Sequence, residues 1–106
     1  MATITPVVAT AAGNTVTYAA ASAGGDSLVV GSNYVTFLVR NASGGSINVT
    51  MAGAVPCSQG VTHNTVVACA VGDTEILVPP QVVSPSTGNV AVTYSATTSI
   101  TVAAVI

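Results

Sequence analysis

The stretch Asn33-Tyr34-Val35-Thr36-Phe37-Leu38-Val39-Arg40 decides the fold class. Val35, Phe37 and Val39 recur at every second position, so in an extended chain they share one face. A helix needs an apolar stripe with a period of about 3.6 residues. No window of the chain offers a convincing one. The alternation returns on either side of this stretch. Ile47, Val49 and Met51 alternate with Asn48 and Thr50; Val90, Val92 and Tyr94 alternate with Ala91 and Thr93; Ile100, Val102 and Ala104 alternate with Thr101 and Ala103. Val and Thr together supply about a third of the residues, which suits a pleated, half-buried surface.

The pattern predicts strands near 3–10, 15–21, 27–30, 33–40, 46–52, 65–71, 74–78, 89–96 and 99–105. Gly13-Asn14, Gly24-Gly25-Asp26, Gly31-Ser32-Asn33, Asn41 to Gly45, Gly72-Asp73 and Gly88-Asn89 fit tight connections between them. Pro79-Pro80 cannot continue a central strand and opens a longer loop through Pro85 to Gly88. A second long loop runs from Gly53 to Asn64. Short strands at regular spacing imply an all-β fold: a single antiparallel β-sandwich of about eight strands, jelly-roll-like, or a barrel. At 106 residues, with no linker, the chain reads as one domain over 1–106. Val16-Thr17-Tyr18-Ala19-Ala20 resembles Val92-Thr93-Tyr94-Ser95-Ala96. Shared strand composition accounts for this, as would two equivalent strands in a pseudo-symmetric sandwich.

Charge is nearly absent. Asp26, Arg40, Asp73 and Glu75 are the four charged residues of 106, there is no Lys, and half the chain is hydrophobic. The mean hydropathy is +0.75. Soluble domains carry about 25% charged residues, and interspersed charge is what keeps a solitary domain from associating. A membrane or an enclosing assembly would relax that need. Polar Thr, Ser, Asn or Gly interrupts every apolar run before the roughly 18 residues of a spanning helix. Assembly is therefore the leading expectation. The start, Met1-Ala2-Thr3-Ile4-Thr5-Pro6, lacks the basic and apolar blocks of a secretory signal. Synthesis in a cytoplasm is expected on that reading. One Arg cannot neutralise a row of phosphates or anionic headgroups. Nucleic acid and membranes are accordingly not expected partners.

Groups able to run a reaction are as scarce. Asp73 and Glu75 lie two apart beside Gly72 and read as solvated turn residues rather than an acid/base pair. No enzymatic activity and no cofactor are expected. Cys57, His63 and Cys69 are evenly spaced, but the spacing lacks the tight knuckle of a structural zinc site. No metal is expected. Cys57 and Cys69 leave two states open: a disulfide, which would stabilise by roughly 3 kcal/mol in the chain-entropy model, or two buried thiols kept reduced by the cytoplasm. His63 reads as a surface or interface residue. Arg40, if partly buried, must be compensated, and Asp26 is a candidate partner. Asn41-Ala42-Ser43 and Asn48-Val49-Thr50 match the glycosylation acceptor pattern but should stay bare without an export signal.

The order of features resembles the small head decoration, or capsid-cement, proteins of tailed bacteriophages of actinobacteria. The resembling stretches are Ala2-Thr3-Ile4-Thr5-Pro6-Val7-Val8, Thr15-Val16-Thr17-Tyr18, Val39-Arg40-Asn41-Ala42-Ser43, Val55-Pro56-Cys57-Ser58-Gln59-Gly60 through His63, Val90-Ala91-Val92-Thr93-Tyr94-Ser95 and Ile100-Thr101-Val102-Ala103-Ala104-Val105. The resemblance implies a β-sandwich on the outside of an icosahedral head, with the major capsid protein as partner, often as a trimer that reinforces the shell. It brings no catalytic residues. This chain carries fewer charges than that family. Its neutral outer faces independently predict a homo-oligomer. The apolar, charge-free segment Met1 to Val8 is the expected docking arm or swapped strand, with Thr3, Ile4, Thr5, Pro6, Val7 and Val8 as interface residues. The expected role is a structural virion protein at the capsid surface. The alternative is a cell- or carbohydrate-binding β-sandwich module of a phage fibre or tail. The absence of Trp weighs against that alternative.

Overall fold

A computed structural model describes residues 2–53, 59–60, 64–79 and 88–106. The described residues form nine strands and no helix: β1 (Thr3–Ile4), β2 (Ala19–Ala20), β3 (Asp26–Val29), β4 (Val35–Asn41), β5 (Ile47–Met51), β6 (Thr65–Cys69), β7 (Gly72–Val78), β8 (Asn89–Tyr94) and β9 (Ile100–Val105). They make two sheets, one in the order β1-β3-β8-β5-β6 and one in the order β2-β9-β4-β7. Every pair of strands is antiparallel except β1 with β3. Strands β2 to β9 follow the order of a jelly roll, crossing from sheet to sheet at every connection except the β5–β6 hairpin, and β1 is an addition at the β3 edge. The β-sandwich expected from the two-residue period is the fold.

The period decides the core. Val35, Phe37 and Val39 of β4 point inward, and all three are at most 1% exposed. Val49, Val90, Val92, Leu28, Ile100, Val102 and Val78 meet them from the two inner faces. In β4 the residues between, Thr36 and Leu38, are partly covered and Arg40 is exposed. A one-residue slip of register would exchange these sets, so burial of one face holds the register. Gly25, just before β3, has φ +92°, and a Cβ there would lie 2.8 Å from the Val92 carbonyl oxygen. Only glycine suits so close a backbone approach at a left-handed position.

The first strands are shorter than the expected 3–10 and 15–21. Residues 3 and 4 pair in parallel with Ser27 and Leu28. The chain then crosses to the other sheet, where Val7 donates to the Ala104 carbonyl at 3.0 Å and its own carbonyl accepts from Ile106 at 3.0 Å. The segment thus stitches the β1/β3 edge to β9 and closes one side of the sandwich. Ile4 joins the core, whereas Thr3, Thr5 and Val8 are exposed and Pro6 and Val7 half-buried. The expected arm is therefore paired within its own chain. Ala19–Ala20 is an edge strand, and Val92 lies in the central strand β8. The two similar pentapeptides occupy inequivalent places, and shared strand composition is the explanation that remains.

Candidate functional site

The reading of Asp73 and Glu75 as turn residues is corrected by the pairing. The turn is made by Ala70 and Val71, and β7 begins at Gly72, so both carboxylates lie within a strand. In register, Asp73 faces Arg40 and Glu75 faces Leu38 on β4. Both point outward from the four-stranded sheet. Arg40 Nε lies 3.1 Å from Asp73 Oδ1, with the two side chains 50% and 63% exposed. The guanidinium also rests on the Tyr18 ring, 4.1 Å from its centroid. The hydrogen bond from Arg40 and then its charge proximity to Asp73 push the guanidinium further up from its ordinary range. The expected Arg40–Asp26 pairing is not formed. Arg40 faces outward on β4, and register delivers Asp73 across the strand pair instead.

Asp26 goes inward, although its Gly-Gly neighbours mark a turn. It is 1% exposed. Its Oδ2 accepts from the Tyr94 hydroxyl at 2.7 Å and from the Ser22 N–H at 3.3 Å, while Oδ1 accepts from the Ala2 N–H at 3.1 Å. Burial pushes the carboxyl up, but the hydrogen bonds from Tyr94, Ser22 and Ala2 outweigh it and hold the group below its ordinary value. Burial, then the bond to Asp26, pushes the Tyr94 phenol far up, so Tyr94 stays the donor. A cleft between residues 2–7 and β2/β9 is lined by Ala, Val and Ile side chains, by Thr3, Thr5 and Thr17, and by Asp26. The carboxylate oxygens there are already engaged.

Consequently the three exposed ionic side chains, Arg40, Asp73 and Glu75, share the outer face of one sheet. The outer face of the other carries none. Thr3, Ser27 and Ala91 form one row across it, and Thr93, Thr50 and Val66 another. Val29, Asn48, Ala68 and Asn89 complete it. These side chains are short and neutral. Asn89 Nδ2 donates to Ser27 Oγ at 3.1 Å, and the Asn48 N–H donates to Ser95 Oγ at 2.8 Å, which orders the polar groups on the face. The molecule has principal extents of 38 × 36 × 21 Å. A broad face is thus large enough for the roughly 800 Å² per partner of a standard interface. Neutral groups can be covered there without the penalty of desolvating ions.

Of the residues singled out in the sequence, Thr3 sits at the β1 border of this face and Ile4 lies beneath it. Cys69 is fully buried at the end of β6, and burial pushes its thiol up. Cys57 and His63, and with them the disulfide reading, lie outside the described residues, as do most of the loops 53–64 and 79–88. Asn41 is 2% exposed. Its Nδ2 donates to the carbonyls of Gly45 at 2.9 Å and Cys69 at 3.0 Å, and its Oδ1 accepts from the Ser43 N–H. This acceptor pattern is therefore a buried loop brace, whereas Asn48 is exposed. The buried role of Asp26 and Tyr94 was missed in the sequence, and no local signal marks it. No family model, curated protein or solved structure matches the chain.

Proposed function

We propose that the protein is a structural component of a bacteriophage virion that binds the outer surface of the capsid and reinforces it. It docks by the uncharged outer face of the five-stranded sheet, bordered by exposed Thr3, and contacts further copies of itself. One observation carries this reading: in a chain with four charges, one broad face is left with none. Such a face is poorly protected against association, and a symmetric shell offers many copies of one complementary site. A jelly roll serves both capsid and lectin domains, so the fold alone does not choose between a shell protein and a sugar-binding module. Among the four aromatic residues, Tyr34 is the exposed one, at 56%, which is a small platform for a sugar.

The test mixes purified protein with phage heads stripped of it. Saturable co-sedimentation at a fixed ratio to capsid subunits is expected, with DNA release moved to higher temperature. The double variant Ala91→Lys, Thr93→Lys should fold normally yet stay in the supernatant. Absence of binding to heads, together with binding to a glycan array, would replace this reading with the fibre or tail module.

A further inference from the structure

We propose that the working form of the protein begins at Ala2, and that Asp26 is the built receptor for the free α-amino group of that residue. Asp26 is a buried carboxylate whose donors, the Tyr94 hydroxyl and the N–H groups of Ser22 and Ala2, are all neutral. Buried charges are normally paired with an opposite charge. This chain holds a single Arg and no Lys. Arg40 is exposed on the outer face of the other sheet, bound to Asp73. Among the described residues no cationic side chain reaches Asp26. His63, the one other side chain able to become cationic, lies outside the described residues. The group that the described structure does place at the carboxylate is the nitrogen of Ala2, 3.1 Å from Asp26 Oδ1, and an amino terminus there would be a cation. The position is held from the other side too, because the Ala2 carbonyl accepts from the Ser27 N–H at 2.8 Å.

The step is hydrolysis of the Met1–Ala2 peptide bond by a peptidase of the cell that makes the chain. Water's hydroxyl goes to the carbonyl carbon of Met1 and its proton to the nitrogen of Ala2, which takes a second proton from solvent. Water is the only co-reactant. Whether Met1 opens the chain or follows a longer leader, the same cut yields the same ammonium. That ammonium replaces an amide donor by a charge-assisted one and seats β1 against β3. Processing then completes the sheet edge. Among the described residues the titratable groups facing the new ion pair are Asp26 itself and Tyr94. This inference stands apart from the virion reading.

The experiment compares the full chain behind a cleavable leader, before and after a cut immediately ahead of Ala2. The cut form should melt higher near pH 6 by about 4–8 °C, the span of one modest interaction in a domain this small. An amino group paired with a carboxylate has a raised folded-state pKa. Its contribution is whole below the ordinary α-amino value, about 8, and is lost as pH rises through the folded one. The melting gap should therefore close in alkali, and Asp26→Asn should abolish it. With no Lys in the chain, acetic anhydride reads the α-amino group alone among amines. Labelling of the folded cut protein should run at least tenfold slower than of the urea-unfolded chain, a readout that survives if the Asn variant fails to fold. The protein from its natural source should show Ala2 as its first residue by intact mass. Equal melting of the two forms, equal labelling rates, or a natural protein extending before Ala2 would each overturn the proposal.

Discussion

Asp26 shows how far a residue's neighbours in sequence differ from its neighbours in space. Beside Gly24 and Gly25 it reads as a turn residue and a candidate partner for Arg40. In the fold it accepts hydrogen bonds from residues 2, 22 and 94. No period or motif announces a contact between positions 26 and 94, since it exists only after β3 and β8 have paired. The depressed carboxyl has a signed consequence. A group whose folded-state pKa lies below its unfolded one contributes stability that is whole above the unfolded value, here the ordinary 3.8. The contribution is lost as pH falls through the folded value. Urea titrations from neutral pH downward should show falling stability below the ordinary carboxylate range. Tyr94→Phe removes the nearest donor, and the buried acceptor left short should cost about 1–3 kcal/mol. A Tyr94→Phe variant as stable as the parent would deny Asp26 this role.

At the scale of elements, legibility follows burial. Strand β4 could be read because one of its faces is covered along its length, and Val35, Phe37 and Val39 had to be apolar for that reason. Strands β1 and β2 were read too long. Alternation says where a chain can be extended, but a ladder also needs a partner. Residues 3–4 have β3 beside them only briefly before the chain crosses to β9. The carboxylates of β7 were misplaced for a related reason: Gly72 marks a turn in sequence, yet at φ +117° it opens the strand. The two faces of β4 should respond oppositely to substitution. Phe37, the single Phe and fully buried, sits between both sheets, and Phe37→Ala should cost about 3–5 kcal/mol. Arg40→Gln on the outward face should leave chemical denaturation unmoved, because its ion pair is solvent-screened. A comparable loss from both would mean that the register assigned to β4 is wrong.

For the whole molecule, the decisive property is where the few charges lie. Ala91→Glu or Thr93→Glu places an ion on the uncharged face at an exposed position. Surface changes of this kind stay within about 0.5 kcal/mol in stability. Sedimentation of concentrated protein should nonetheless show weaker self-association than for the parent. The same change at Leu77, on the face that already bears Asp73 and Glu75, should matter less. Identical sedimentation for all three variants would detach association from this face. The scarcity of charge, the two-residue alternation and the turn residues belong to the linear chain, because each is a property of composition or of neighbours along it; they suffice for an all-β sandwich with neutral surfaces. Which sheet carries the ions, which Asp is buried and how the first residues are held depend on strand order and register. Those arise from pairing between residues far apart in sequence, such as 40 with 73 and 3 with 27, and no local pattern encodes such a pairing.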